Sequence, residues 1–257
     1  MKVLDLTMLL DYDGMADEVF PVATHYYLGP KYHAHKGIVV GSETGTCLTL
    51  PSAFADCRKT TRLNEVAPEK LALRPTAVLD IPNNPGEAIE ENDLMRVLGE
   101  ASIESGDAIL IRTGWGDRQL HTQRGDHYVL KSPYLTVKAA ELLAAKMRER
   151  KSDLLLTDTA LVGLPDKHMI PEWCSLLPRP EPWPSPEARV YLHLYTPEKA
   201  KADFAAEIAL ARAGIMTVKK LVNCKAISGK RPKMIVAPLQ IVRGTASTCR
   251  VAALEED

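Results

Sequence analysis

The chain has 257 residues, 46% hydrophobic and 25% charged, the balance of a globular protein with a substantial core and not of a disordered tract. A formal net charge of −1 gives no global attraction to nucleic acid or to an anionic membrane, so neither is expected as a partner. Five cysteines (Cys47, Cys57, Cys174, Cys224 and Cys249) are odd in number, scattered and without a CxxC pair, which argues against a disulfide framework or zinc ribbon and fits a reducing, cytoplasmic compartment.

Residues 2–6 read as the first strand. Asp5 arrives too early for a signal-peptide core, and no apolar run approaches the roughly 18 residues of a membrane span. The next segment concentrates His25, Tyr26, Tyr27, Tyr32, His33 and His35; on a strand His33 and His35 point to one face, as a pocket wall, a replacement metal site or solvated loop side chains. Short apolar runs predict strands at 38–40 and 77–79, and a helix spans 90–100. Gly106-Asp107 turns tightly into a buried strand at 108–111. A second helix covers 136–148, with Thr136 as N-cap and an apolar face of Val137, Ala140, Leu142, Leu143 and Met147. A strand at 154–157 ends at Asp158. The proline-rich stretch 177–184 cannot be helical and reads as a packed surface loop with Trp183 and the nearby Trp173. A strand at 190–194, a helix at 202–213 with Gly214 as C-cap glycine, and strands at 234–238 and 241–242 complete the chain. Strands alternating with helices predict an α/β architecture, read as one domain over residues 1–257.

Two stretches carry a resemblance. Glu43-Thr44-Gly45-Thr46-Cys47-Leu48-Thr49-Leu50-Pro51-Ser52-Ala53-Phe54 resembles the signature His-Thr-Gly-Thr-His-Ile-Asp-Ala-Pro-Ala-His-Phe of the cyclase and kynurenine-formamidase superfamily. The segment Gly106-Asp107-Ala108-Ile109-Leu110-Ile111-Arg112-Thr113-Gly114-Trp115 is similar to that family's Gly-Asp-x-Val-Leu-x-Arg-Thr-Gly-Trp block. Further matches follow in order: Leu4-Asp5-Leu6-Thr7, Thr157-Asp158-Thr159, Gly214-Ile215 through Leu221 and Asn223, and Ala237-Pro238-Leu239 with Arg250. The resemblance implies a swivelling β/β/α fold, a homo-oligomer, and a pocket for a small-molecule substrate. It also implies a centre in which imidazoles and a carboxylate hold zinc or manganese and make hydroxide near neutral pH.

The ligand positions of that centre are substituted. They fall on Glu43, Cys47, Thr49 and Ala53, then on Ala205 or Ala206, and on Lys219. Thr49 and Ala53 offer no strong ligand, and an ammonium at Lys219 opposes a cation and can neutralise Glu43. The expectation is therefore no metal and no cofactor. Glu43 becomes a general acid or base if burial raises its pKa, or else an ion-pair partner of Lys219. Cys47 is a candidate nucleophile or a small buried apolar residue. Asp158 either assists acid–base work or caps a turn, and His168 is a proton carrier or an exposed loop side chain. His25, Tyr26, His33, Thr49, Trp115 and Lys219 are the candidate substrate contacts. The implied function is an enzyme that hydrolyses, cyclises, dehydrates or eliminates at an amide, lactone or related carbonyl compound by side-chain acid–base catalysis. The other reading is a catalytically inactive ligand- or partner-binding relative.

Overall fold

A computed structural model of the chain describes residues 1–10, 22–28, 34–54, 57, 59–119, 128, 131–163, 202, 204–229 and 231–256, with backbone alone at 22–28, 34–40 and 119. Strand β1 (Lys2–Asp5) is followed by a hairpin of β2 (Val22–Leu28) and β3 (Ala34–Val40), paired from Val22 with Val40 to Leu28 with Ala34. The short β4 (Cys47–Thr49) leads to β5 (Arg74–Asp80), β6 (Ala88–Ile89), helix α1 (Glu91–Glu100) and β7 (Ala108–Arg112). Helix α2 (Trp115–Gln119), β8 (Tyr134–Leu135), α3 (Val137–Glu149) and β9 (Leu154–Thr157) follow. The described chain ends with α4 (Ala205–Arg212), β10 (Met216–Lys219), β11 (Lys233–Pro238) and β12 (Ala246–Glu255). Among the described residues no helix is long and apolar enough to cross a membrane.

The main sheet closes on itself. Its order runs β1-β12-β11-β5-β7-β9-β10-β4, and β4 also pairs with the start of β12 through Ala246 to Thr49 and Thr248 to Cys47. With β1 joined to the far end of β12 by Lys2 to Glu255, the other seven strands form a barrel, which removes free sheet edges. Strands β5, β7, β9 and β10 are parallel neighbours, and β4, β11 and β12 are antiparallel to theirs. This is the α/β architecture expected from the sequence.

Alternation along the strands divides the core in two. Leu110, Leu156, Val218, Leu48 and Val251 belong to a cluster that fills the barrel. Their neighbours Ile109, Ile111 and Leu155 face outward and pack with Leu94 and Val97 of α1, Leu143 and Met147 of α3 and Leu210 of α4. Strands β7 and β9 are buried on both faces, which explains their unbroken apolar runs. Thr136 caps α3 as expected, its hydroxyl accepting from the Ala139 N–H at 3.2 Å. Gly214 follows α4 with φ +80, where a side chain would be strained.

One sequence expectation changes. Residues 241–242 do not form a strand: Ile241 and Val242 lie in the exposed turn between β11 and β12, closed by the Gly244 N–H on the Ile241 carbonyl at 2.9 Å. The strand there is β12, ten residues long and unrecognised because its outward positions include Thr248 and Arg250. The expected strand at 190–194 and the loop at 177–184 lie outside the described residues, as do Trp173, His33 and His168.

Candidate acid–base site

The site is built where β4 and β10 run side by side under α4. Cys47 is the register partner of Lys219, and Thr49 that of Thr217. Since Leu48 and Val218 point into the barrel, the period-two alternation turns Cys47, Thr49 and Lys219 to the outer wall. The turn before β4 brings Glu43 over them. That turn uses Gly45 at φ +61, a left-handed conformation that favours glycine, with Leu10 Cδ2 packed over it.

Three groups converge on Glu43. The Lys219 ammonium lies 3.1 Å from Oε1, the Thr49 hydroxyl donates to the same oxygen, and Lys220 Nζ donates to the Glu43 backbone carbonyl at 2.8 Å. Consecutive strand residues normally diverge, but Lys220 has left the strand with φ 62, which lets its side chain return to the same region. Thr46 fastens the arrangement from behind: its hydroxyl accepts from the Met8 N–H at 2.8 Å and donates to the Lys220 carbonyl at 2.7 Å.

A third ionisable group comes from α4. Glu207 shares the buried helix face of Ala206, Leu210 and Ala211 and is 3% exposed. Its Oε1 accepts the Gly163 N–H at 3.0 Å, and its Oε2 is buried with no hydrogen-bond partner among the described residues. Sequence reasoning missed this residue. The signal was present, because Glu207, Leu210 and Ala211 lie at helical spacings i, i+3 and i+4 on the apolar stripe.

The electrostatics separate the two carboxyls. Burial pushes the Glu43 pKa upward, but the Lys219 charge, the Thr49 hydroxyl and the Lys220 charge outweigh it and bring it down to about 2. Of the two readings that the sequence offers for Glu43, the geometry shows the ion pair with Lys219. At Glu207 burial wins over the opposing Lys219 charge, and the repulsion of Glu43 adds to it, so its pKa rises. For Lys219 itself burial disfavours the charge, yet Glu43, Cys47 and Glu207 together hold the ammonium firmly protonated.

The remaining sequence candidates fall in different places. Cys47 is fully buried beside Lys219. Asp158, also fully buried, is hydrogen-bonded to the loop after β7: Oδ1 accepts from the Thr113 N–H at 2.9 Å and the Thr113 hydroxyl at 2.7 Å, and Oδ2 from the Gly114 N–H at 2.7 Å. Burial raises its pKa against these bonds. Trp115 is 1% exposed, its ring stacked on Tyr128 at 5.9 Å and its indole N–H donating to the Tyr128 carbonyl at 3.2 Å. His25 and Tyr26 lie on β2, paired with Gly37 and Lys36 of β3. Ala53 is exposed, and Ala205 and Ala206 begin α4.

The Cyclase family model matches residues 4–161. Among solved structures, isatin hydrolase A from Labrenzia aggregata, bound to benzyl benzoate, is similar at 19% identity and TM-score 0.70, over 99% of this chain and 94% of that one. An isatin hydrolase bound to the product analogue thioisatinate is 18% identical with TM-score 0.71, over 99% and 93%. A structure described as a predicted metal-dependent hydrolase from Bacillus stearothermophilus is 16% identical with TM-score 0.63, over 98% and 97%. At these identities the likeness speaks for the fold. No curated protein matches significantly.

Proposed function

The chain belongs to the Cyclase family, and from that premise we propose that it is a hydrolase opening the amide or lactone bond of a small carbonyl compound by side-chain acid–base chemistry, without a metal ion. The observation that carries this reading is the Lys219 ammonium, 3.1 Å from Glu43 and 5% exposed, at a position where the family motif has a ligand. A divalent ion does not fit the donors around it. The Glu43 carboxylate is already engaged by an ammonium and a hydroxyl, Thr49 is spent on that bond, and Ala53 carries no donor.

The ammonium can take over part of the ion's electrostatic work. A fixed positive charge in a poorly hydrated site stabilises the oxyanion that develops when water adds to a carbonyl carbon. Glu43 positions it: an acid with a pKa about 2 is a weak base, but as a permanent anion it holds the Lys219 side chain and keeps it charged. The isatin hydrolases among the structural relatives make a cyclic amide of that kind the first compound to offer.

The test is hydrolysis of isatin and a panel of aryl lactams, lactones and formamides, followed by absorbance, with metal analysis of the same preparation. Turnover by protein carrying only trace metal, lost in Lys219→Met and strongly reduced in Glu43→Gln, is the expected result. Turnover that scales with bound zinc or manganese would sink the metal-free mechanism. Inert protein across the panel would favour a ligand-binding relative.

A further inference from the structure

We propose that the trough between α3 and α4 is a binding site for a small amphiphilic carboxylate, with Arg148 and Arg212 taking the carboxylate and alanines receiving the apolar tail. The site lies apart from the Glu43–Lys219 pair and does not depend on the hydrolase reading. Helix α4 stands between the two: Ala206, Glu207, Leu210 and Ala211 are buried on its inner side, while Ala205, Ile208, Ala209 and Arg212 line the trough.

The trough follows from side-chain size. Beneath it the helices share a core through Leu143 and Met147 of α3 and Leu210 of α4, all fully buried. Further out, the residues along the gap are Ala144 and Ala145 on α3 and Ala205 and Ala209 on α4. These side chains are too short to close it, and a cavity of about 410 Å³ remains. That volume lies within the roughly 300 to 1,000 Å³ usual for a small-ligand pocket. Val137, 43% exposed, and Ile208 extend the apolar lining.

The positive charge gathers at one end. Arg148 and Arg212 stand in the last turns of their helices, and the strands that follow, β9 and β10, start as register partners at Leu154 and Met216. The chain thus brings both guanidiniums to the same end of the trough, and both line it. Last-turn arginines offset the helix dipoles wherever they occur. Here they also flank an apolar floor, a combination that retains an anion with a hydrocarbon body. Glu141 is the opposing charge, about two turns before Arg148 and so about 10 Å away along the axis, beside the tail and not the head. With two positive groups against one negative, the trough favours an anion over a cation.

The experiment is isothermal titration calorimetry of the full chain with dodecanoate, kept below its micelle concentration, and with dodecyltrimethylammonium as the oppositely charged control. One dodecanoate per chain and no binding of the cation is the expected result. Arg148→Gln should weaken dodecanoate binding by about tenfold. Glu141→Gln should tighten it by about twofold, by removing the repulsion of one charge across about 10 Å of aqueous medium. A variant that had merely lost its fold would not bind more tightly. Ala145→Phe fills the trough from an exposed position and should abolish binding. Absence of binding overturns the proposal, and so does equal binding of the cation, or a dodecanoate affinity indifferent to Arg148 and Ala145. Sedimentation of the same proteins addresses the other occupant. A parent dimer that Ala145→Phe turns into monomers would give the trough to a second copy and overturn the small-ligand assignment.

Discussion

At Glu43, burial alone would favour the neutral acid, yet an ammonium at 3.1 Å and a hydroxyl on the same oxygen turn the balance to the anion. Its folded pKa of about 2 lies below the ordinary 4.5, so its contribution to stability is complete above pH 4.5 and is lost as the pH falls toward 2. The side chain is 27% exposed, so water screens part of the effect, and about 2 kcal/mol is a fair scale. Lys219→Met should remove most of it. The variant leaves a part-buried carboxylate with Thr49 and the more distant Lys220 charge, and should lose about 2 kcal/mol near neutral pH. Its stability should also vary less between pH 5 and pH 2 than that of the parent. Urea unfolding at a series of pH values measures both effects, and parental stability in the variant at neutral pH would refute the pairing.

The loop after β7 depends on one carboxyl at the end of β9. Asp158 receives three hydrogen bonds from Thr113 and Gly114, and α2 starts immediately afterward with Trp115 locked under Tyr128. The fit is close: a Cβ on Gly116 would stand 2.0 Å from the Leu221 carbonyl oxygen and 3.3 Å from Asp158 Cβ. Asp158→Asn should therefore cost about 2 kcal/mol, because an amide NH2 must face the N–H of either Thr113 or Gly114. Thermal unfolding would register the cost, together with faster hydrogen exchange at 113–116. A neutral substitution would mean that the loop is held by packing alone. The sequence carried the elements here better than their roles. The Gly-Asp-x-x-Leu-x-Arg-Thr-Gly-Trp block predicted β7 and its turn, and the substituted motif already pointed to a Glu43–Lys219 pair. Glu207 was hidden because a charged residue in Ala-Ala-Glu-Ile-Ala-Leu-Ala-Arg is easily assigned to the solvent face. Its helical spacing to Leu210 and Ala211 was the one sign in the sequence that it faces inward.

Barrel closure depends on contacts that no local pattern reveals. Runs such as 108–111 and 154–157 declared themselves as strands because parallel strands buried on both faces are apolar throughout. Strand β12 did not, since its inward face mixes the polar Ser247 with Cys249, Val251 and Ala253, while exposed Ile241 and Val242 imitated a strand. The closing seam is the three-residue β4, paired with β10 on one side and β12 on the other. So short a strand contributes few ladder bonds, and Thr46 compensates by joining the chain after β1 to the end of β10 across the seam. Thr46→Val keeps the volume and removes both bonds, leaving the Met8 N–H and the Lys220 carbonyl without that partner in a dry environment. The cost should be about 2 kcal/mol. It should also be uneven: amides of β4 and the first residues of β12 should exchange faster, while β5, β7 and α3 keep their protection. Because Lys220 reaches Glu43 through the same junction, the variant should also raise the Glu43 pKa slightly and reduce turnover. Uniformly accelerated exchange would mean instead that the barrel opens as one cooperative unit and that the seam is no weaker than the rest.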